Sequence, residues 1–254
     1  TRADSVALEL RKEISSARLQ RRTGAGLHPS YWPAKLVWLQ RTEDKLFAQA
    51  RYFISFAEYL YWRLFGQLTV SASMASGTGL LNISRCAWDG LACSLAPDLY
   101  TRLSPLDESP CIGLKPEFSR RWPHLRDARW FPASGDGACS SIGAGGWQSD
   151  RVVVTVGTSS AMRLVVPQPC DPRRKTVGRG AGSRALWNYR VDQAHGIVGG
   201  ALSEGGNLIA WLEATLQLPP IDQVETIIAS RPPDAGRLTI LPFIAGERSP
   251  DWIG

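Results

Sequence analysis

The sequence predicts an α/β protein of two domains, on three observations. Residues 1–146 carry the amphipathic period of helices, with apolar side chains three and four positions apart. From Val152 onwards, short β-branched runs alternate with glycine-containing turns, which is typical of strands. Between the two patterns, residues 146–150 show neither period. We therefore place the predicted boundary there and divide the chain into residues 1–146 and 147–254.

Helices dominate the start of the chain. Residues 4–20 have an apolar face and predict one amphipathic helix, which Gly24 should end. Pro33 suits the first turn of a second helix over residues 34–40. Residues 42–50 predict a third helix, with Thr42 as its cap.

The clearest local signal comes next. Ser55 followed by Glu58 is the pattern of a capping box, and it predicts a helix over Phe56–Phe65 that stops at Gly66. Small residues at 71–78 would let two elements approach closely there, unless the segment is a plain polar loop. The remaining expectations for this half are short strands at 52–54, 68–70 and 128–133, a helix at 89–96 and a loop-rich stretch at 97–113.

The second half predicts strands before helices. Val152–Val156 is a run of β-branched residues and reads as a buried strand that ends in a turn of small donor residues. The other expectations are a strand at 162–166, an exposed hairpin loop at 167–183, a strand pair at 186–191 and 196–201, helices at 208–216 and 221–230, and a last strand at 238–241.

Composition excludes several functional classes. The chain has 254 residues, 44% of them hydrophobic and 20% charged, with a net charge of +6. These values describe an ordinary globular protein. Its basic residues occur in short scattered groups, whereas a nucleic-acid interface concentrates them. No apolar run reaches the length of a membrane span, and no signal segment opens the sequence. We expect neither nucleic acid nor membrane as a partner.

The cysteines indicate neither a disulfide scaffold nor a zinc site. There are five of them, at positions 86, 93, 111, 139 and 170, and no two are spaced like metal ligands. Reduced thiols in a cytoplasmic protein fit this pattern. The three histidines, His28, His124 and His195, are also too far apart in sequence to suggest a metal motif.

One acidic residue stands between two glycines, at Gly135, Asp136 and Gly137. Glycines on both sides let a substrate hydroxyl approach the carboxylate, because no side chain crowds it. The turn at Gly157 and Thr158 is of the kind that binds phosphate oxygens. Together they suggest phosphorylation of a hydroxyl group. The alternative is that Asp136 only caps a helix and Gly157 only turns a hairpin.

The order of several segments resembles the FGGY family of carbohydrate kinases, and within it the gluconate-kinase-like members. No single segment is decisive, but together they cover nearly the whole chain. The segments are Thr-Gly at 23–24, Leu-His-Pro-Ser-Tyr at 27–31, Ala-Lys-Leu-Val-Trp-Leu at 34–39, Ser-Met-Ala-Ser-Gly-Thr-Gly-Leu at 73–80, Trp-Asp at 88–89, Gly-Asp-Gly at 135–137, Gly-Thr-Ser-Ser-Ala-Met-Arg at 157–163, Gly-Gly-Ala-Leu-Ser-Glu-Gly-Gly at 199–206, Leu-Pro-Phe at 241–243 and Gly-Glu-Arg-Ser-Pro at 246–250.

The resemblance implies a ribonuclease-H-like, actin-like ATPase fold with two domains and a cleft between them. Residues 1–146 would be the C-terminal part of the sugar-side domain, and residues 147–254 the first part of the nucleotide-side domain. The implied activity is ATP-dependent phosphorylation of a sugar or sugar acid, gluconate first, with Mg²⁺. The family opens with a phosphate-binding hairpin and later carries a Gly-Gly segment near the adenine. Neither has an equivalent here, so we expect a fragment that lacks both ends.

The resemblance also implies roles for single residues. Asp136 would be the general base. His28, Ser30 and Tyr31 would contact the sugar, although a histidine satisfied within the core is the competing interpretation for His28. Gly157 and Thr158 would contact the nucleotide phosphates, unless they form only a hairpin corner. Further nucleotide contacts are expected at Gly206, Ile209 and Ala210. Close packing of the helix would explain the glycine at position 206 equally well.

Two other functions stay open from the sequence. In the first, the chain is a catalytically incomplete remnant of such a kinase with only a binding or structural role. In the second, it belongs to a sibling kinase that acts on xylulose, ribulose or glycerol. A homodimer is an additional expectation. Glu247 and Arg248 are expected to pair with each other or with the domain interface. A serine or cysteine hydrolase is disfavoured, because no histidine is a credible partner for the nucleophile. Uncovered apolar edges would make the isolated chain poorly soluble.

Overall fold

The computed structural model describes residues 2–173, 186–241, 243–244 and 246. It contains two compact units, which interleave along the chain. The first comprises Thr1–Val153 and Leu164–Val198, and the second comprises Val154–Arg163 and Gly199–Gly254. The boundary that the sequence predicts near residue 146 stays a prediction.

The described residues form an α/β structure, as the sequence predicts. The helices are α1 (Asp4–Glu13), α2 (Ser16–Thr23), α3 (Trp32–Thr42), α4 (Asp44–Gln49), α5 (Phe56–Phe65), α6 (Ala72–Gly77), α7 (Gly90–Cys93), α8 (Pro116–Arg121), α9 (Asp136–Gly143), α10 (Gly206–Thr215) and α11 (Ile221–Ala229), with 3₁₀ turns at Leu99–Arg102 and Pro123–Leu125. The strands are β1 (Leu81–Asn82), β2 (Ala87–Trp88), β3 (Val152–Val156), β4 (Ser160–Pro167), β5 (Trp187–Arg190) and β6 (His195–Leu202).

The predicted first helix is two helices. The backbone of Ile14 is extended, and α2 then begins with Ser15 as its N-cap, whose Oγ accepts from the Arg18 amide at 3.3 Å. The apolar period continues through this break, which is why the sequence reads as one helix. Gly24 ends α2 in the left-handed conformation, with φ of 75°, as predicted.

The predicted cap at Thr42 is wrong. Thr42 is the last residue of α3, and its hydroxyl donates to the Trp38 carbonyl at 2.9 Å. Glu43 is the N-cap of α4 instead. Threonine is common at helix caps because its hydroxyl can bond to nearby backbone groups. The same hydroxyl can also bond to the carbonyl four residues earlier, and a threonine then lies inside a helix.

The capping box is confirmed in full. The Ser55 hydroxyl accepts from the Glu58 amide, and the Glu58 carboxylate accepts from the Ser55 amide at 2.7 Å. Helix α5 has the predicted bounds and ends at Gly66, whose φ is 78°.

Several short strands predicted from sequence are not formed. The Phe53 amide bonds to the Arg102 carbonyl outside any strand, and Val70 makes only an isolated parallel bridge to Leu106. Trp130 likewise makes one antiparallel bridge, to Cys111. The segment 238–241 is also outside any strand. Short apolar runs do not by themselves distinguish a strand from a packed loop.

The larger sheet has four strands in the order β3-β4-β6-β5, and β1 pairs with β2 in a separate antiparallel hairpin. The predicted strand pair at 186–191 and 196–201 is confirmed, since β5 and β6 are neighbours. The prediction that Val152–Val156 is buried is wrong, because β3 is an edge strand and mostly exposed. A second small cluster of buried side chains packs on this sheet: Ala138, Val165, Val191 and Ile197.

The largest core lies in the first unit. It is formed by helices α1 to α4 and α7 together with the loops around them. Its buried members are Val6, Leu10, Leu19, Leu27, Leu36, Val37, Phe47, Phe53, Leu80, Ala92, Cys93, Ala96, Leu99 and Leu103.

Helix α6 makes the close approach that its small residues predict. It packs against β5, and the hydroxyl of Ser76 accepts from the backbone amide of Arg190 at 2.8 Å. Ser76 is fully buried, and a larger residue there would separate the helix from the strand.

The expectation of reduced thiols is contradicted at one pair. Cys86 and Cys170 form a disulfide across 84 residues of sequence, with their Cα atoms 5.7 Å apart. The adjoining backbone is paired as well, since the Asp171 amide donates to the Ser84 carbonyl at 2.9 Å. Sequence spacing gives no sign of such a pair, because the fold alone brings the two segments together. Cys93, Cys111 and Cys139 are free thiols.

Within the described ranges, no helix is long and apolar enough to cross a membrane. Most of the predicted hairpin loop at 167–183 and the predicted pair of Glu247 and Arg248 lie outside the described residues.

Candidate active site

Asp136 is the first residue of α9, and its side chain is exposed. Gly135 occupies the cap position and no side chain caps this helix. The Asp136 Oδ1 accepts from the amide of the next residue, Gly137, at 2.6 Å. Asp136 therefore does not fill the cap position that the competing interpretation gave it, and its carboxylate is open to a ligand.

Helix α6 holds the segment that leads into Asp136. The Gly135 amide donates to the Ser73 hydroxyl at 3.0 Å, and the Ser71 hydroxyl donates to the Ala133 carbonyl at 2.6 Å. Both serines are buried. Two hydrogen bonds from one short helix thus fix the backbone on the N-terminal side of the carboxylate.

Tyr31 ends the loop between α2 and α3 and lies in the same unit. Its hydroxyl is hydrogen-bonded to the hydroxyl of Tyr189 on β5, and the two rings meet edge to face with centroids 6.5 Å apart. Gly79 packs beneath Tyr31, since a Cβ on Gly79 would lie 3.2 Å from the Tyr31 Cβ. Trp32, the next residue, donates its amide to the Thr78 carbonyl at 2.9 Å.

His28 and Ser30 belong to the same loop. The Ser30 amide donates to Nδ1 of His28 at 3.2 Å, and the His28 ring packs at 72° to that of Tyr31 with centroids 6.3 Å apart. His28 is half-buried, whereas Ser30 is exposed. Their role in contacting a sugar stays a prediction.

The sequence analysis missed Tyr189. It lies on β5 between Asn188 and Arg190, and its ring stacks on that of Trp187 with centroids 4.8 Å apart. The alternation of Trp187 and Tyr189 along the predicted strand was a usable signal, since it places both rings on one face. What the sequence could not supply was the contact with Tyr31, 158 positions away.

Arg190 is a buried charge beside this cluster. Burial lowers its pKa to about 10, against the opposing influence of the negative charges of Asp192 and Glu108. Its Nη1 donates to the Ile83 carbonyl at 3.2 Å and its Nε to the Asp192 carbonyl at 2.9 Å. The bond to Ile83 ties β5 to the loop after β1, and the bond to Asp192 holds the turn after β5, so Arg190 supports the strand that carries Tyr189.

Asp192 and His195 close the turn between β5 and β6. Burial by itself would raise the pKa of Asp192, but hydrogen bonds from His195 and from the Ala194 amide outweigh it and lower that pKa. The imidazole Nδ1 of His195 lies 3.0 Å from the Asp192 carboxylate.

The residues predicted for the nucleotide lie in the second unit. Gly157 and Thr158 form the exposed turn between β3 and β4. The Gly157 amide donates to the Ser159 carbonyl at 2.9 Å, and its carbonyl accepts from the Gly206 amide at 2.6 Å. These two amides are thus already engaged within the fold, while the Thr158 side chain is exposed.

The segment before α10 packs backbone to backbone on this turn. A Cβ on Gly205 would lie 2.6 Å from the Gly157 carbonyl oxygen, so only glycine fits there. Ile209 is 50% exposed and Ala210 is exposed, both in the first turns of α10. Close packing accounts for the glycine pair, and the exposed side chains stay predicted nucleotide contacts.

The predicted residues therefore fall into two groups. In the first unit, Ser73 of α6 bonds to Gly135 beside Asp136, and Thr78, just after α6, bonds to Trp32 beside Tyr31. Gly157, Thr158, Gly206, Ile209 and Ala210 are joined to one another in the second. In the part of the chain that the structure describes, no three His, Cys, Asp or Glu side chains are placed to hold a metal ion.

Comparison with known proteins agrees with the resemblance read from the sequence. Residues 1–112 match the model of the FGGY family of carbohydrate kinases, N-terminal domain. A gluconokinase from Bacillus subtilis (strain 168) is 26% identical over 270 residues, which cover 99% of this chain and 50% of that protein. The predicted recognition of an FGGY-type, gluconate-kinase-like sequence is confirmed.

Two solved structures from Lactobacillus acidophilus are similar in fold. One is a ligand-bound xylulose kinase, with a TM-score of 0.83 and 27% identity, and the match covers 99% of this chain and 50% of that one. The other is a gluconate kinase, with a TM-score of 0.82 and 28% identity at the same coverage. The predicted actin-like ATPase fold is confirmed, and the chain spans about half the length of the relatives that it matches.

Proposed function

We propose that this chain, an FGGY-type carbohydrate kinase sequence, carries part of the active site of an enzyme that phosphorylates a hydroxyl of a sugar or sugar acid with ATP. The observation that carries the proposal is the exposed carboxylate of Asp136, attached through α6 to the same surroundings as Tyr31. An exposed acid, together with a loop that carries an imidazole and two hydroxyls, suits a polyol acceptor.

Asp136 acts as the general base in this proposal. Phosphoryl transfer passes through a loose transition state, so the carboxylate mainly orients the attacking hydroxyl and takes its proton late. Ser73 and Ser71 bond to the backbone just before Asp136, which fixes the position of the Asp136 backbone. Such positioning is the main requirement of this chemistry.

His28, Ser30 and Tyr31 contact the acceptor. A polyol or sugar acid needs donors and acceptors at several points, and an imidazole with two hydroxyls provides both. Because gluconokinase is among the relatives, we propose gluconate as the first acceptor to test, with xylulose, ribulose and glycerol as the sibling acceptors.

The nucleotide is held by the second unit. The Thr158 hydroxyl contacts its phosphates, and the N-terminus of α10, which begins at Gly206, favours their negative charge. Ile209 and Ala210 provide an exposed apolar surface beside it.

Mg²⁺ would neutralise charge on the phosphates during transfer. It commonly enters such sites on the nucleotide phosphates with one or two protein carboxylates, which does not require a cluster of three ligands. We further propose that the enzyme is cytoplasmic and forms a homodimer. It binds neither nucleic acid nor a membrane.

The test is a coupled ADP-release assay on the full-length protein with gluconate and the three sibling acceptors. Asp136→Asn should lower turnover by about 10²- to 10⁴-fold, since that is the range of general-base catalysis, and should leave nucleotide binding intact. Asp222→Asn is the matched control, because Asp222 is also an exposed carboxylate in the first turn of a helix. Wild-type turnover in Asp136→Asn would dismiss the assigned base.

The alternative is that the 254 residues act only as a binding or structural remnant. The same assay on the 254-residue chain alone distinguishes the two. Clear phosphorylation would refute the remnant, and gluconate binding without turnover would support it.

A further inference from the structure

We infer that Ser71 and Ser73 are positioning residues for the proposed base, Asp136. Through their hydroxyls, the N-terminal turn of α6 holds the backbone that precedes this carboxylate, so the two serines contribute to the rate of phosphoryl transfer and not to the binding of either substrate. The inference rests on the proposed function, and it gives a role in turnover to a segment for which the sequence analysis expected only close packing.

The two serines bond to different backbone groups of the segment before Asp136. The Ser71 hydroxyl donates to the Ala133 carbonyl at 2.6 Å, and the Ser73 hydroxyl accepts from the Gly135 amide at 3.0 Å. Both serines are buried, with exposed fractions of 5% and 4%, and a hydrogen bond in such a place is stronger than one in water. One carbonyl and one amide, two residues apart, are thus held by the same helical turn. This fixes the position and the orientation of the backbone that leads into Asp136.

Ser71 uses its hydroxyl for two bonds at once. It is the N-cap of α6, and its Oγ accepts from the Met74 amide at 3.1 Å while its proton is donated to the Ala133 carbonyl. A hydroxyl donates one hydrogen bond and accepts two, so both bonds can form together. The start of the helix and the loop before Asp136 are therefore joined at a single oxygen atom.

Helix α6 is itself firmly held. Its Ala72 and Ala75 are buried in a small apolar cluster. The Ala72 amide donates to the Glu108 carboxylate at 3.2 Å, and the Ser76 hydroxyl accepts from the Arg190 amide of β5 at 2.8 Å. Because apolar packing and hydrogen bonds both fix the helix, a serine at its start can hold a neighbouring loop in one place.

The backbone after Asp136 has anchors of its own. Ala138 of α9 is buried in the apolar cluster on the four-stranded sheet, and the Ser141 hydroxyl donates to the Gly137 carbonyl at 2.8 Å. Loss of one serine bond on the other side should therefore leave α9 packed and release only the segment before the carboxylate. A displacement of about 1 Å at a reacting group can cost about 10²-fold in rate. We thus expect a large effect on turnover and a small one on stability.

The experiment compares Ser71→Ala and Ser73→Ala with the wild type in the full-length protein. We expect each variant to lower kcat about tenfold or more and to leave the KM for the acceptor and for ATP within about twofold, because the displaced carboxylate acts in the transition state. Ser71→Thr keeps a hydroxyl that can both cap and donate, and it should retain turnover. Ser15→Ala is the matched control, since Ser15 also caps a helix but its cap bond, to the Arg18 amide, lies within α2.

A double variant tests whether the serines act through Asp136. In the Asp136→Asn protein the proposed base is already absent, so adding Ser73→Ala should lower the residual turnover by less than about twofold. A further loss as large as that of Ser73→Ala alone would overturn the inference, because the serine would then act independently of the carboxylate.

Hydrogen exchange of the Gly135 amide tests the inference without any kinase assay. Ser73→Ala removes the acceptor of this amide and should speed its exchange, whereas Ser15→Ala should not. Wild-type turnover in Asp136→Asn would refute the proposed base, while faster exchange would still support the positioning of its backbone by Ser73. Unchanged exchange overturns the inference. So does an unchanged kcat in Ser73→Ala when Asp136→Asn is inactive, or an equal loss of kcat in Ser15→Ala.

Discussion

Gly24 shows how strongly one residue can constrain this fold. It ends α2 with φ of 75°, and a Cβ in its place would lie 1.6 Å from the carbonyl oxygen of Asn188. Both conditions exclude a larger residue, the first by backbone strain and the second by direct overlap. The approach of β5, and with it the position of Tyr189, depends on this glycine.

We predict that Gly24→Ala destabilises the protein by about 3 kcal/mol or more, because the strand must move to relieve the overlap. Chemical denaturation of both proteins, monitored by circular dichroism, measures the difference. Gly143→Ala is the control, since Gly143 lies at the end of α9 with no atom within 4 Å of an added Cβ. Equal stability of Gly24→Ala and the wild type would show that the close approach is not required.

Asp192 gives a prediction on pH. Its folded-state pKa is lowered from the ordinary value of 3.8, so its stabilising effect is complete above about pH 4 and is lost as the pH falls through the lowered value. We therefore expect the Tm of the wild type to fall faster with acid than the Tm of Asp192→Asn. Thermal melts between about pH 2 and 5 test this, and parallel profiles would contradict it.

Among the elements, α5 is the one whose bounds follow from sequence alone. The two reciprocal bonds of its capping box are local, between residues three positions apart, so no tertiary information is needed to predict them. Helix α5 also ends at a glycine in the left-handed conformation, which is another local signal.

We predict that Ser55→Ala lowers the free energy of unfolding by about 0.5–2 kcal/mol through loss of this cap. Urea denaturation measures the change. Ser119→Ala removes a half-buried hydroxyl that bonds within α8 and caps no helix, so it should stay within about 0.5 kcal/mol of the wild type. A similar loss in both variants would mean that the cap contributes nothing particular to α5.

Elements that depend on distant partners were harder to predict. Strand β5 was found from its aromatic residues Trp187 and Tyr189, and β6 from the β-branched Ile197 and Val198. The exposure of β3 was not predicted. Its valines are typical of a buried strand, but its position at the edge of the sheet leaves most of them exposed to solvent. The same limit hid the contact of Tyr189 with Tyr31, which exists only because α6 and β5 pack together.

At the scale of the whole molecule, the fold and the likeness to FGGY carbohydrate kinases were predictable, while the surroundings of the candidate site were only partly so. The order of weak motifs along the chain identified the kinase fold, which the solved structures confirm. The surroundings of Asp136 were not predictable, because Ser71 and Ser73 reach its loop from about sixty positions away. The disulfide between Cys86 and Cys170 was missed for the same reason.

The second unit leads to a last prediction, on the isolated chain. Its helix α11 buries no residue, and large apolar side chains on and after it are exposed, among them Ile228 at 66% and Leu238 at 76%. Exposed apolar patches of this kind favour association. We expect the 254-residue chain alone to self-associate and to bind a fluorescent apolar dye.

Light scattering after size exclusion, with dye fluorescence, measures this behaviour. Ile228→Lys with Leu238→Lys should reduce both association and dye binding, because charge on an exposed apolar surface opposes contact between copies. Gln223→Lys adds a charge at an exposed polar position of the same helix and is the control. A monodisperse wild-type preparation that melts cooperatively and binds little dye would mean that the exposed apolar side chains do not drive association.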